Sequence, residues 1–150
     1  MKTPNHHTAW HPETNILDTR LSGTVDTEFV RHWANGFVRC FNSAAVVGNF
    51  KLLLDLTGYE PIDIDAHKQM REVIPAFLLK HGMVPAFIKL FENTDYHVVS
   101  DPQAKCWAFA NVHHDVSKMQ NYQEKISCNY QQFFHSRIDA VSWLQSVGEN

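Results

Sequence analysis

The residues best suited to chemistry in this chain lie in Asn111-Val112-His113-His114-Asp115, where two adjacent imidazoles precede a carboxylate. Shared by one ion, His113 and His114 would be the start of a metal centre; with Asp115, they would be an acid–base pair. Structural zinc takes four ligands, and catalytic zinc takes three plus water. The stretch offers two imidazoles, no His-x-x-x-His helix pair and no third ligand in register. Neighbours on a strand face opposite ways, so the two rings converge only if the chain turns there. Asp115 suits a helix N-cap, where its carboxylate accepts backbone N–H bonds. Handover from strand to helix therefore accounts for the stretch better than a metal or catalytic centre does.

Other candidates follow the same logic. His67 stands four residues from both Asp63 and Arg71, which fits an acid–base dyad or, more simply, one helix face with i,i+4 pairs. His6, His7 and His11 crowd a terminus expected to be loose over residues 1–7. Cys40, Cys106 and Cys128 form an odd set without Cys-x-x-Cys spacing, as expected of reduced structural thiols in a cytoplasmic protein. No Gly-x-Ser-x-Gly, Gly-x-Gly-x-x-Gly or phosphate-cradling Gly-Lys-Ser/Thr sequence is present. No cofactor is implied.

Composition narrows the class. With 150 residues, 44% hydrophobic and 19% charged, the chain suits one globular domain spanning 1–150. Its net charge of −3 and lack of a basic run argue against nucleic acid as a partner. The opening MKTPNHHTAWHPETN has no apolar core for a signal peptide, and no run reaches the roughly 20 apolar residues of a membrane span.

The elements that must position these residues can be read from periodicity. HTAWHP and ILDTRLSG around Glu13-Thr14-Asn15 predict a β-hairpin ended by Gly23. Asp26 caps a helix with Phe29, Trp33, Phe37 and Phe41 on one face and Val30 and Val38 beside them. Gly36 within it leaves room for another element. Leu52, Leu53, Leu54 and Leu56 predict a buried parallel strand stopped at Thr57-Gly58. Asp63 or Asp65 caps a second helix carrying Ile64, Met70, Val73, Ile74, Phe77 and Leu78, kinked or restarted at Pro75 and closed by Gly82. The segment MVPAFIKLF fits a short helix or a strand from Ala86 to Phe91, with helix preferred. KCWAFANV and NYQQFF are further core strands. They lead into helices that bury Val116, Met119 and Ile126, and then Ile138, Val141, Leu144 and Val147. Strands alternating with helices predict an α/β fold: a mostly parallel mixed sheet, an N-terminal hairpin, and helices packed on it.

RLSGTVDTEF, LLLDLTGYEP and QQFFHSRIDAVSWL, within residues 8–147, resemble the STAS domain family in its SpoIIAA-like branch. The resemblance implies a non-enzymatic module that binds proteins or small ligands. Anti-sigma antagonists of that family carry a phosphorylatable Ser at the start of the helix after the central strand. Here Ile62-Asp63-Ile64-Asp65-Ala66-His67 has no Ser or Thr, and the nearest hydroxyl of that kind is Thr57. Residues 83–104 exceed the family's usual short link.

In open α/β sheets ligands bind beyond the carboxyl ends of the strands. That places Thr57, Tyr59, His113, His114 and Asp115 on one rim, as candidate contacts for a small apolar or anionic ligand or a protein partner. The alternative is a metal-dependent or histidine-based hydrolase using His113, His114 and Asp115, assisted by Asp63 or His67. Phe87, Ile88, Leu90 and Phe91 are dense enough to form a self-association or partner surface. Phe87→Asp or Phe91→Asp is expected to disperse an oligomer while leaving the monomer folded; unchanged mass by light scattering in both variants would refute it.

Overall fold

The computed structural model describes residues 1–86 and 96–148. Strands β1 (Asn5–His11) and β2 (Ile16–Val25) form the predicted antiparallel hairpin, with Thr8 opposite Thr19. Helix α1 (Thr27–Ala44), strand β3 (Gly48–Asp55), the three-residue β4 (Tyr59–Pro61) and helix α2 (Ile64–Lys80) follow. The chain continues through β5 (Ala104–Val112), α3 (Val116–Lys125), β6 (Gln131–Phe134) and α4 (Arg137–Ser146). The strand order is β1-β2-β3-β5-β6, with β4 paired to the far end of β2. Among the named strands of the described residues, every pairing except β1 with β2 is parallel. The leucine-rich β3 and the tryptophan-bearing β5 thus run side by side in the same direction.

Parallel strands leave the faces to the helices, and alternate residues divide between them. One face buries Leu17, Leu21, Leu52, Leu54 and Phe109 under α1 and α2. Phe37 and Phe41 of α1 meet Phe77 of α2 at ring separations of 4.7 and 5.0 Å. The other face buries Ile16, Leu53, Ala108, Ala110 and Val112 under Ala140 and Leu144 of α4. The rows of alanine on β5 let α4 sit close.

Each helix begins with a side-chain acceptor on its third amide. Asp26 takes Phe29, Asp63 takes Ala66, Asp115 takes Lys118 and Ser136 takes Asp139. Losing such a cap typically costs about 0.5–2 kcal/mol.

Several expectations need correction. Residues 5–7 belong to β1 rather than to an unpaired terminus: Asn5, His6 and His7 pair with Ser22, Leu21 and Arg20. Gly23 does end the antiparallel ladder of the hairpin, whose last pair is Asn5 with Ser22, but not the strand: β2 runs through it to Val25 and pairs with β4. Its φ of +81° and the closeness of the Thr3 carbonyl, 2.2 Å from where a Cβ would stand, are what require glycine there. Gly36 makes room for the His6 ring. Helix α2 passes Pro75 without a break. Val38, Ile64, Val116 and Ile138 are exposed rather than buried. Phe87, Ile88, Leu90 and Phe91 lie outside the described residues, as does most of MVPAFIKLF.

The exposure of Ile138, at 81%, has a definite cause. Arg137, its neighbour, takes the sheet-facing position in the first turn of α4, so the inward stripe is half-buried Arg137 and Val141 with buried Ala140 and Leu144. The Arg137 guanidinium bonds both oxygens of Asp18 on β2 and reaches Asp55 Oδ2 on β3 at 3.1 Å. Both carboxylates are buried, at 3% and 6% exposure. Burial lowers the Arg137 pKa, but the hydrogen bonds and charges of Asp18 and Asp55 outweigh it and raise the value overall. Removing one partner of a buried ion pair typically costs about 3–5 kcal/mol. Arg137 is partly solvated, so Arg137→Ala is expected to destabilise by about 3 kcal/mol in urea unfolding, the low end of that range. Arg137→Lys, which keeps charge without the two-pronged geometry, should lose less. A loss under about 0.5 kcal/mol in Arg137→Ala, the size of an ordinary surface change, would contradict this assignment.

Candidate functional site

Strands β3, β5 and β6 end on one rim, and α2 and α3 start there. Between these two helices a cleft of about 170 Å³ opens over the strand ends. Its buried lining is apolar: Leu54 from β3, Met70 and Ile74 from α2, Met119 from α3 and Phe133 from β6. His67, Arg71, His113 and Lys118 line it as half-buried or exposed residues. No Asp or Glu lines it among the described residues.

The rim is fastened by backbone groups. Leu56 N donates to Val112 O at 2.8 Å, joining the two loops that follow β3 and β5. Asp55 Oδ1 accepts from both the amide (3.0 Å) and the hydroxyl (2.6 Å) of Thr57. That bend aims the Gly58 amide at His114 Nδ1, 3.0 Å away. One residue earlier, the Asp115 amide donates to His113 Nδ1, also at 3.0 Å. The chain does turn after β5, and the two imidazoles stack with centroids 4.2 Å apart and planes 24° from parallel.

These bonds fix the chemistry of the pair. An Nδ1 that accepts an amide proton holds no proton of its own, so each neutral ring carries its hydrogen on Nε2. The lone pair that a general base or a metal ligand would use at Nδ1 is already engaged. The Asp115 carboxylate caps α3 through Lys118 N and orients neither ring. Asp63 caps α2, and His67 Nδ1 lies 3.2 Å from Tyr59 Oη rather than against a carboxylate. Among the described residues no group of three or more His, Cys, Asp and Glu is placed to hold a metal ion.

Of the five candidates on the rim, only His113 lines the cleft. Thr57 is exposed and tied to Asp55. Tyr59 is buried in the main core, and burial pushes its phenol up to about 12. His114 and Asp115 fasten the rim from outside the cleft. Sequence reasoning passed over Arg71 as a ligand group and never reached Lys118. Nothing in the spacing 71 to 118 marks them as neighbours, although both, after burial, lower the His67 pKa, and Arg71 lowers that of Lys118.

The comparisons agree with this geometry at the level of fold. The structure matches the crystal structure of an uncharacterized protein from the DUF3478 family with a SpoIIAA-like fold, from Shewanella loihica PV-4. The two are 12% identical over 96% of this chain and 95% of that one, with a TM-score of 0.52. The fold is SpoIIAA-like. No family model and no curated protein matches the sequence. In this SpoIIAA-like fold, α2 follows the central strand β3 and the short β4, and its cap is Asp63 rather than a hydroxyl residue. No helix among the described residues is long and apolar enough to cross a membrane.

Electrostatics makes the rim sensitive to acid. Burial first, then the charges of His114 and Lys118, push the His113 pKa down to about 4; Asp115 opposes the shift and His67 adds to it. Because the folded value lies below the unfolded 6.5, the unfolded chain binds the proton first as pH falls. Stability from this group is therefore complete above pH 6.5, is lost between 6.5 and about 4, and is constant below. After a discount for partial solvation the loss should be about 1–2 kcal/mol. His113→Asn, which keeps an acceptor near the Nδ1 position, should remove that part of the slope. An imidazole proton titration placing the His113 midpoint near 6.5 would overturn this account.

Proposed function

We propose that the protein is a non-enzymatic, STAS-like binding module that takes a small amphipathic anion into the rim cleft. The supporting observation is the pairing of a buried apolar lining with Arg71, Lys118 and the imidazoles of His67 and His113 in a cleft with no acidic lining residue among the described residues. An alkyl or aryl body would cover Leu54, Ile74, Met119 and Phe133, each buried methylene contributing about 0.8 kcal/mol. A carboxylate at the mouth would meet the two cations and the donor edge of His113. Burial, and then Arg71, lower the Lys118 pKa, so an anion brought between them relieves a repulsion already present. The hydrolase alternative is less well supported, since it needs lone pairs that the rim amides already occupy.

Free thiols at Cys40, Cys106 and Cys128 are in keeping with a reducing, cytoplasmic setting. A docked protein is the second reading, favoured by Ile62, Ile64, Val116 and Ile138, which stand exposed near the starts of α2, α3 and α4 on the same rim. Native mass spectrometry of the purified chain, with and without chelator, reads retained small molecules, metal and subunit count together.

Calorimetric titration with octanoate and octanol separates the contributions. Octanoate is expected to bind more tightly than octanol, and Lys118→Ala to weaken octanoate about tenfold while leaving octanol unchanged, the size of one charge-assisted contact. Equal affinity for both compounds, or no saturable binding of either, would defeat the proposal.

A further inference from the structure

The floor of the rim cleft is a single row across three strands. Leu54 on β3 lies opposite Asn111 on β5, and Asn111 lies opposite Phe133 on β6. All three line the cleft. Directly paired residues put their side chains on one face of a sheet, so half-buried Asn111 stands between a leucine and a phenylalanine. Two residues earlier on β5 the same face carries Phe109, which is fully buried. An amide side chain in such a row costs stability unless its polar atoms find partners.

Half of that amide is accounted for. The Ala86 backbone N–H donates to Gln131 Oε1. A backbone N–H can only donate, so fully buried Gln131 has its oxygen on that side and its NH2 group on the other. Gln131 Nε2 then donates to Asn111 Oδ1 at 3.0 Å. These bonds run in one direction and fix the Asn111 amide, whose oxygen is spent within the sheet. Asn111 Nδ2, on the other branch of the planar group, donates to no group among the described residues. Nor is it sealed in: among the described residues the enclosed side-chain nitrogen or oxygen without a partner is the Trp107 indole nitrogen alone. Asn111 Nδ2 is therefore reachable, and the opening that Asn111 lines is the cleft.

We propose that Asn111 Nδ2 reads an oxygen partway along the ligand, so that the cleft selects an oxo acid over a plain fatty acid. The inference rests on the reading of the cleft as an anion site and names the class of anion. The carboxylate stays at the mouth with Arg71 and Lys118, and a ketone oxygen of the body accepts from Asn111 on the floor. A mainly apolar lining with one fixed polar group is how such pockets set the orientation of what they hold. A plain alkyl chain would cover the Asn111 NH2 group and strand its donors. A site built around a donor rejects the analogue that lacks the acceptor for that reason.

The test is a calorimetric titration of the full chain with octanoate and with the positional series of oxooctanoates. At least one isomer is expected to bind about tenfold more tightly than octanoate. Asn111→Leu should erase that preference and bind octanoate more tightly than the unaltered chain does. A second measurement needs no variant. With nitrogen-15 labelling of the unaltered chain, the Asn111 side-chain N–H signals should move downfield with the favoured isomer and not with octanoate. Octanoate binding with no isomer preferred, a preference that survives in Asn111→Leu, or Asn111 signals that stay put with the favoured isomer overturns this inference alone. If neither octanoate nor any isomer saturates, the anion-site reading falls and this inference falls with it.

Discussion

The contact on which the rest depends is the one between Arg137 and the paired carboxylates of Asp18 and Asp55. A guanidinium offers a rigid fork of donors, and here the fork spans two neighbouring strands from the first turn of α4. Hydrophobic residues of similar size would often hold such a place at least as firmly. What they would not supply is direction. Asp55 gives Oδ2 to Arg137 and Oδ1 to Thr57. The Thr57 bend presents the Gly58 amide to His114, and His114 stacks on His113 at the cleft. A charge buried on one face of the sheet is thus linked, through four short steps, to a ring that lines the cleft on the other.

That linkage explains how a rim made of loops can hold a defined shape. The strand pairing brings the ends of β3 and β5 together, but pairing alone leaves the following residues free to wander. Side chains at Asp55, His113, His114 and Asp115 each accept a backbone amide there. With those amides satisfied, α3 starts at a fixed place beside β6. The separation of α2 from α3 then leaves room for the cleft.

Much of this was legible from the residues. The apolar runs of β3 and β5 have no polar alternation, which only a doubly covered strand tolerates, and the four cap residues stand where the helices begin. Two of the failures share one cause: periodicity assumes that the core-facing position is apolar. In α4 an arginine holds that position, so Ile138 was assigned inward and the true stripe was missed. In α3 Asp115 and Lys118 commit the first turn to the rim, and Val116 is left outside. Tyr59 looked like a rim residue because the strand before it ends in Thr57-Gly58, yet β4 carries it back into the core. Arg71 and Lys118 meet across two helices, and a pattern read along one helix has no means of joining them.

The adjacent histidines show how a turn can engage the ring nitrogens of a stretch that looks catalytic. A general base needs an open lone pair, and a metal ligand needs the same. At both rings Nδ1 is occupied by an amide of the turn that the ring itself stabilises. Charging His113 would turn its acceptor into a donor facing that amide, and burial beside His114 and Lys118 already opposes the charge. What remains is an Nε2–H edge, which donates. Together with Arg71 and Lys118 it makes a cleft mouth rich in donors and free of acidic side chains among its lining residues. The positive groups and donors at such a mouth suit the charge of an anion. At His113 the strand-to-helix junction and the cleft wall are therefore one residue seen from two sides, the Nδ1 edge serving the turn while the ring lines the cleft.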